Sequence, residues 1–158
     1  MIIIEDSRQK IDKNKHIKDQ MERLGHKVVR SKLLVGDYQI ANKGDVVIDT
    51  KYSLNEVESN LIHDHDRFRN ECVLAQEAGI RLIILVQEPS ISSLPNVCSW
   101  YNFRRRTNPK AVNGKTLYKI MSTMAEKYGV EWQFCKKHEC GKRIIEILTE
   151  VKNDERSN

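Results

Sequence analysis

Two short segments that flank a polar turn constrain the fold of this chain more than any other feature. Residues 36–40 and 46–51 combine apolar and polar side chains in the manner of β-strands, and Ala41-Asn42-Lys43-Gly44-Asp45 between them is typical of a tight turn. We therefore predict an antiparallel hairpin. A turn centred near Lys43 sets three pairs of residues opposite each other: Ile40 and Val46, Tyr38 and Ile48, and Asp37 and Asp49.

The opposed Asp37 and Asp49 require a counterion. Directly opposed residues lie about 4.5–5.5 Å apart at Cβ, where like charges destabilise a sheet. Lys51 follows Asp49 by two residues, so the period of the strand places it on the same face. Two carboxylates and one ammonium group suit Mg²⁺, which proteins usually hold through one or two carboxylates together with substrate phosphate. The alternative interpretation is a polar hairpin whose charged side chains simply face water.

Length and charge limit the class of protein. A chain of 158 residues is expected to form one domain. The 27 Lys and Arg exceed the 22 Asp and Glu, and the excess begins after residue 100, where 13 basic residues stand against 7 acidic ones. This distribution favours a polyanionic partner. The sequence shows no signal peptide and no apolar run long enough to span a bilayer, so we expect a cytoplasmic protein without membrane contact.

Apolar periodicity and capping residues predict an alternation of strands and helices around the hairpin. The predicted strands are 2–4, 27–35, the two hairpin strands, 80–86 and 130–134, and the predicted helices are 13–24, 54–61, 67–78, 117–128 and 141–151. Ser53 and Asp66 are the expected N-caps of the second and third helices. Residues 152–158 are expected to form a frayed polar tail.

Three polar clusters resemble ligand sites without having the required pattern. His63-Asp64-His65-Asp66 alternates potential metal ligands, but Asp66 is equally a helix cap. Cys135 to Cys140 resembles half of a zinc site, and a zinc-binding interaction protein is one alternative function, although thiols packed at a strand-to-helix junction are the simpler interpretation. Asn113-Gly114-Lys115-Thr116 lacks the first glycine of a phosphate-binding loop, so no nucleotide cofactor is predicted. The four cysteines are expected to be reduced.

Aromatic residues precede a run of arginines at the start of the basic third. Trp100, Tyr101 and Phe103 could stack on bases while Arg104, Arg105 and Arg106 bind phosphates. Aromatic residues packed in the core beside a solvated arginine run are the alternative. Both interpretations remain open, and the three arginines are candidate DNA-binding residues.

Four motifs together resemble the XPF-type nuclease domain, a branch of the PD-(D/E)xK nucleases, over roughly the first 90 residues. The motifs are Asp6-Ser7-Arg8 after the first strand, Gly36-Asp37-Tyr38, Asp49-Thr50-Lys51, and Asp66-Arg67-Phe68. They occur in the order of the family and at comparable spacing. The resemblance implies an α/β fold of the restriction-endonuclease type, with a mixed central sheet flanked by helices. It also implies a single nuclease-like domain over 1–151, with a motif-bearing core at 1–90 and a basic part at 91–151.

The resemblance further implies a metal-dependent DNA endonuclease that hydrolyses phosphodiester bonds, with branched, flapped or single-stranded DNA as candidate substrates. Asp37 and Asp49 would bind Mg²⁺ or Mn²⁺, and Lys51 would orient the attacking water. Asp6 and Arg67 would assist catalysis, and Arg8 would bind DNA. Family members often pair through this domain, so a homodimer is expected, and small stand-alone relatives occur in phages and bacteria.

The sequence departs from the family motifs at several positions. Asp49 and Thr50 stand where the family has Glu and Arg, Asn55 stands where it has Asp, and Gln9 where it has Glu. These departures favour the alternative of a catalytically inactive DNA-binding module with the same fold. The retained Asp37, Asp49 and Lys51 favour the enzyme.

Overall fold

The computed structural model describes residues 1–156, and the side chains of residues 1–150. Its strands are β1 (Ile2–Asp6), β2 (Lys27–Ser31), β3 (Tyr38–Ile40), β4 (Lys43–Lys51), β5 (Arg81–Gln87) and β6 (Glu131–Cys135). Its helices are α1 (Lys15–Arg23), α2 (Leu54–Ile62), α3 (His65–Glu77), α4 (Gly114–Tyr128) and α5 (Cys140–Arg156). Short 3₁₀ turns occupy Pro95–Ser99, Phe103–Arg106 and Lys137–Glu139.

The six strands form one mixed sheet in the spatial order β2-β1-β3-β4-β5-β6. Strand β1 pairs in parallel with β2, and β4, β5 and β6 are parallel to one another. Strand β3 is antiparallel to both of its neighbours, β1 and β4. The structure therefore confirms the predicted mixed central sheet, and β3 joins two parallel halves.

The hairpin is present, but its turn is shorter than predicted. Tyr38 pairs with Ile48, as expected, whereas Ile40 pairs with Lys43 and not with Val46. The turn consists of Ala41 and Asn42, and Asn42 has a φ of 61°. Asparagine is one of the few residues that adopt this left-handed conformation readily, so a two-residue turn is possible here. An irregularity in β4 absorbs the extra residues and restores the predicted pairing at Tyr38.

The helix boundaries lie within three residues of the predictions except at the end of α5, and one predicted cap is wrong. Ser53 caps α2, and its side chain accepts a hydrogen bond of 3.2 Å from the Glu56 amide. The predicted N-cap at Asp66 is wrong, because α3 begins at His65 and Asp66 lies in its first turn. A carboxylate is favourable there because it interacts with the positive end of the helix dipole. Helix α5 continues to Arg156, beyond its predicted end, and residues 157 and 158 of the predicted tail lie outside the described part of the chain.

Helices cover the sheet on both faces and create two hydrophobic layers. One layer contains Val47, Ile84 and Val86 with the apolar residues of α2, α3 and α4. The other contains Ile48, Ile83 and Leu85 with those of α1 and α5. Because side chains alternate along a strand, Asp49 and Lys51 continue the row of Val47 and point toward α2 and α3. Within residues 1–156, no helix combines the length and the apolar character needed to cross a membrane.

Candidate active site

All five residues predicted to be catalytic line a single cleft of about 750 Å³ at the end of β4. They are Asp6, Asp37, Asp49, Lys51 and Arg67, and the predicted DNA-binding residue Arg8 lines the same cleft. The ends of β1 and β4, the segment before β3 and the helices α2 and α3 supply its walls. The fold therefore brings together motifs that are separated by up to about 60 residues in the sequence.

Asp49 and Lys51 form a buried ion pair in this cleft. Lys51 Nζ lies 2.9 Å from Asp49 Oδ2, and the two side chains are 12% and 8% exposed, respectively. Burial alone would lower the pKa of Lys51. This effect is outweighed by the charge of Asp49, by its contact with the ammonium group and by the charge of Asp37, so the pKa is raised. Lys51 therefore remains protonated near neutral pH. It can donate hydrogen bonds and stabilise negative charge.

Asp37 is buried beside Asp49 and is held by three donors. Its Oδ2 accepts hydrogen bonds from the Thr50 amide at 2.8 Å and from Thr50 Oγ1 at 2.7 Å, and its Oδ1 accepts one from Gln9 Nε2. Burial, followed by the charge of Asp49, raises the pKa of Asp37 well above its usual value, against the opposing effect of the Thr50 hydrogen bonds. The site thus opposes the negative charge of Asp37 unless a cation balances it.

Gly36 fixes the position of Asp37. Its φ is +71°, and a Cβ at this position would lie 2.4 Å from Val47 Cγ1. The next residue is held at both backbone atoms, because the Asp37 amide donates to Ile48 O and its carbonyl accepts from the Asp6 amide, each at 2.8 Å. A glycine is therefore required for the chain to approach β4 this closely.

Asp6 and Arg8 brace the chain segment between β2 and β3. Asp6 Oδ1 accepts a hydrogen bond of 3.0 Å from the Leu33 amide, and Asp6 Oδ2 lies 3.0 Å from Arg8 Nε. Arg8 Nη2 donates to Leu33 O at 2.9 Å. The side chain of Arg8 is 51% exposed at the cleft. The structure thus gives both residues a role in holding the loop that carries Gly36, and their predicted functional roles stay predictions.

Glu71 is a further acidic residue of the cleft that the sequence analysis missed. Its Oε1 accepts a hydrogen bond of 3.0 Å from the Gly36 amide. Burial and then the charge of Asp49 raise the pKa of Glu71 above its usual value. It follows Arg67 by four residues in α3, and this spacing places both side chains on one face of the helix. In the sequence, this four-residue spacing from Arg67 was the only local indication that Glu71 belongs to the cleft. Lys10 and Lys13 also line the cleft and were missed.

The three arginines 104–106 do not line this cleft. Arg104 Nη1 lies 3.6 Å from Glu58 Oε2, so its charge is engaged with a buried carboxylate. Arg105 Nη1 donates to a backbone carbonyl within its own loop at 2.8 Å. The Arg106 guanidinium lies 5.8 Å from the centroid of the Tyr101 ring. Of the three, Arg105 and Arg106 are exposed and Arg104 is half-buried.

The oxygen atoms of Asp37 and Asp49 fit a hard divalent cation. Asp49 Oδ2 is buried and accepts no well-oriented hydrogen bond, although Lys51 Nζ lies beside it. Among the residues that the structure describes, no three His, Cys, Asp or Glu side chains are arranged to hold a metal ion by themselves. An ion at this site would thus have two carboxylate ligands, completed by water and phosphate oxygens. Mg²⁺ is commonly bound in this way.

Comparisons with known proteins agree with this geometry. A family model of the ERCC4 domain matches residues 6–148, well past residue 90, where the resemblance in the motifs ended. Two structures of XPF from Aeropyrum pernix, the second in complex with DNA, have TM-scores of 0.65 and 0.66 and 19% sequence identity. They cover 96% and 98% of this chain, which spans 61% and 66% of their lengths. No curated protein matches the chain in sequence. The resemblance to the XPF-type nuclease domain is confirmed.

Proposed function

Because the chain belongs to the ERCC4 domain family, a family of nucleases, we propose that it hydrolyses phosphodiester bonds of DNA with the help of Mg²⁺ or Mn²⁺. The observation that carries this proposal is the convergence of Asp37, Asp49 and a protonated Lys51 in one cleft. The Aeropyrum pernix XPF structure in complex with DNA supports DNA as the ligand. Branched, flapped or single-stranded DNA is the proposed substrate class.

Asp37 and Asp49 would hold the divalent ion through their carboxylate oxygens. When bound, such an ion lowers the pKa of a water molecule and neutralises charge on the phosphate oxygens. Lys51 contributes a fixed positive charge that hydrogen-bonds the water or the phosphate and stabilises negative charge as it develops.

The walls of the cleft supply the positive charge for binding DNA. Arg8, Lys10 and Lys13 lie on the segment after β1, and Arg67 lies on α3. Cations placed along a groove attract the phosphate backbone and release its counterions. We therefore propose that these four residues guide one strand past Asp49. The homodimer implied by the resemblance is part of the same proposal, and the mass of the protein in solution tests it.

A catalytically inactive DNA-binding module is the second candidate. The hydrogen bonds of Asp37 favour it, because Thr50 and Gln9 already engage both carboxylate oxygens. Asp37 Oδ2 already accepts two hydrogen bonds from Thr50, but Oδ1 accepts only the one from Gln9 and keeps an acceptor position for an ion. The two candidates share the fold and the cleft, and they differ in whether DNA is cut.

Cleavage assays on a panel of DNA structures test the proposal. The purified protein is incubated with single-stranded, duplex, flapped and forked DNA in Mg²⁺, in Mn²⁺ or in a chelator. We expect cleavage only with a divalent ion. Asp49→Asn should abolish cleavage and bind DNA equally or more tightly, because it removes a negative charge from the cleft. Asp64→Asn is the matched control, since Asp64 lines the same cleft, is not a proposed ligand and makes no side-chain cap hydrogen bond; this variant should keep activity.

Cleavage in the chelator, or by the purified Asp49→Asn variant, would contradict the assignment of the metal site. DNA binding without cleavage under all conditions would identify the inactive module.

A further inference from the structure

Two aromatic side chains are exposed outside the cleft, in the loop that leads to α4. Tyr101 is 62% exposed and Phe103 is 58% exposed, whereas the preceding Trp100 is buried. Trp100 belongs to the hydrophobic layer with α4 and so anchors the loop to the core. The two exposed rings stand on either side of the buried Asn102. We call Tyr101 and Phe103 the aromatic platform.

A buried polar network holds the aromatic platform in place. Asn102 is 1% exposed, and its Nδ2 donates to Glu58 Oε2 at 3.1 Å and to Val112 O at 2.8 Å. Its Oδ1 accepts hydrogen bonds of 3.1 Å from the Arg104 amide and from Asn55 Nδ2. Every polar atom of the Asn102 side chain is therefore satisfied. A satisfied buried network fixes one conformation, so the two rings are presented from a rigid support.

The chain segment that carries the aromatic platform is basic. Residues 89–125 contain no Asp or Glu, and they contain six basic residues: Arg104, Arg105, Arg106, Lys110, Lys115 and Lys119. Arg106 also contacts the platform, because its Nε lies 3.3 Å from Tyr101 Oη. A second copy of this loop would be repelled by the like charge. Nucleic acid with unpaired bases offers both features that complement this surface, namely phosphate charge and flat aromatic faces.

Helix α2 lies between the cleft and the aromatic platform. Glu56 and Asn60 of this helix line the cleft. Asn55, Glu58 and Ser59 of the same helix contact the platform loop through Asn102 and Arg104. One helix therefore contacts both the cleft and the loop that carries the platform, and a helix with its side chains is about 10–12 Å across.

We propose that Tyr101 and Phe103 stack on unpaired bases of a single DNA strand that leaves the cleft and crosses α2. Arg105 and Arg106 bind the phosphates of this strand, and Arg104 acts only as a support through Glu58. The inference rests on the proposed function, because the cleft is where the strand is bound for cleavage.

Binding assays in a chelator test this proposal without requiring cleavage. The fluorescence anisotropy of labelled single-stranded DNA and of blunt duplex DNA is measured with wild-type protein and with Tyr101→Leu/Phe103→Leu. Leucine keeps apolar bulk and removes the flat ring. We expect the Kd for single-stranded DNA to rise about 5- to 160-fold for each ring that stacks, and the Kd for duplex DNA to change little. Leu24→Ala, which alters an exposed apolar residue at the end of α1, is the control and should change neither Kd.

An unchanged Kd for single-stranded DNA would overturn the proposal, and so would an equal loss for both DNAs. Conversion of a dimer to a monomer with unchanged DNA binding would also overturn it, in favour of a second copy of the chain.

If the double variant unfolds, a second assay uses the wild-type protein. The protein is photocrosslinked to single-stranded DNA that contains iodinated uracil. Cross-links at Tyr101 or Phe103 are expected, and their absence from both residues would refute the platform. Because both assays measure binding alone, a protein that binds but does not cut would fail the proposed function and leave this inference standing.

Discussion

Replacement of Gly36 by alanine tests whether the close approach of this residue to β4 positions the site. The new Cβ would lie 2.4 Å from Val47 Cγ1 and 3.2 Å from Ile48 O. Val47 is fully buried, and Ile48 O already accepts the Asp37 amide, so neither neighbour can move without disturbing the sheet. Gly79 is the matched control, because its φ of +68° is nearly the same and no atom lies within 4 Å of its Cβ position.

The two substitutions separate the backbone cost from the steric cost. In the folded state, a left-handed φ destabilises a residue that has a Cβ by about 1–2 kcal/mol. Alanine also lowers the conformational entropy of the unfolded chain relative to glycine, which stabilises the protein by about 0.4–1 kcal/mol. Gly79→Ala should therefore lower the free energy of unfolding by about 1 kcal/mol. Gly36→Ala has the same backbone cost plus about 1–3 kcal/mol for overpacking against Val47. Its total of about 2–4 kcal/mol corresponds to a Tm lower by roughly 4–16 °C.

Thermal unfolding of the two variants and the wild type in metal-free buffer measures both effects. Adding Val47→Ala to Gly36→Ala removes the clashing methyl group, so the double variant should lose less than the sum of the single losses. The reasoning would be refuted if Gly36→Ala were no more destabilising than Gly79→Ala, or if the losses of Gly36→Ala and Val47→Ala were additive. The proposed nuclease activity should fall with Gly36→Ala, because Asp37 follows directly in the chain.

Further predictions concern charge and pH. Replacing Arg105 and Arg106 with alanine should reduce the slope of log affinity against log salt by about 0.7 per contact on single-stranded DNA; an unchanged slope would show that neither residue binds phosphate. Arg104→Ala should leave the slope unchanged and lower the Tm, since it removes the ion-pair partner of a buried glutamate; a lower slope would contradict its role as a support. The pKa of Asp37 is higher in the folded state than in the unfolded chain. The contribution of the Asp37 carboxyl to the free energy of unfolding is therefore fully present at a pH below its unfolded-state pKa, and it is lost as the pH rises through its folded-state pKa. In a chelator, the Tm of the wild type should therefore fall over this range relative to that of Asp37→Asn, and parallel Tm profiles would contradict the raised pKa.

The sequence was sufficient for the features that depend on near neighbours. Apolar alternation around a polar turn predicted the hairpin, and the period of two placed Asp49 and Lys51 on one face. The position of the turn was not predictable from that pattern, because it depends on Asn42 adopting a positive φ. The cap of α3 was missed for a similar reason, since Asp64, Asp66 and the alternating histidines offer several starting points and the tertiary packing selects one.

Contacts between distant segments could not be predicted. Glu71 reaches the Gly36 amide only because α3 packs over the segment before β3, across 35 residues of sequence. The motifs supplied Arg8 and Arg67 of the cleft, but further basic residues were sought in the last third of the chain, where the excess of charge lies. Lys10 and Lys13 belong instead to a segment of balanced composition, and only the tertiary fold brings that segment to the cleft. Charge counts thus indicated the type of partner and not the surface that binds it.

Two departures from the family motif meet at the same carboxylate. Gln9 and Thr50 replace a glutamate and an arginine of the motif, and both side chains donate hydrogen bonds to Asp37. Asn14 in turn donates to Gln9 Oε1 and orients its amide toward Asp37. A glutamate at position 9 would place another negative charge against Asp37, where burial and Asp49 already oppose ionisation. An arginine at position 50 would compensate that charge, whereas the neutral pair needs no compensation. The two substitutions are therefore physically consistent with each other, and together they preserve the position of Asp37 while lowering the number of charges around it.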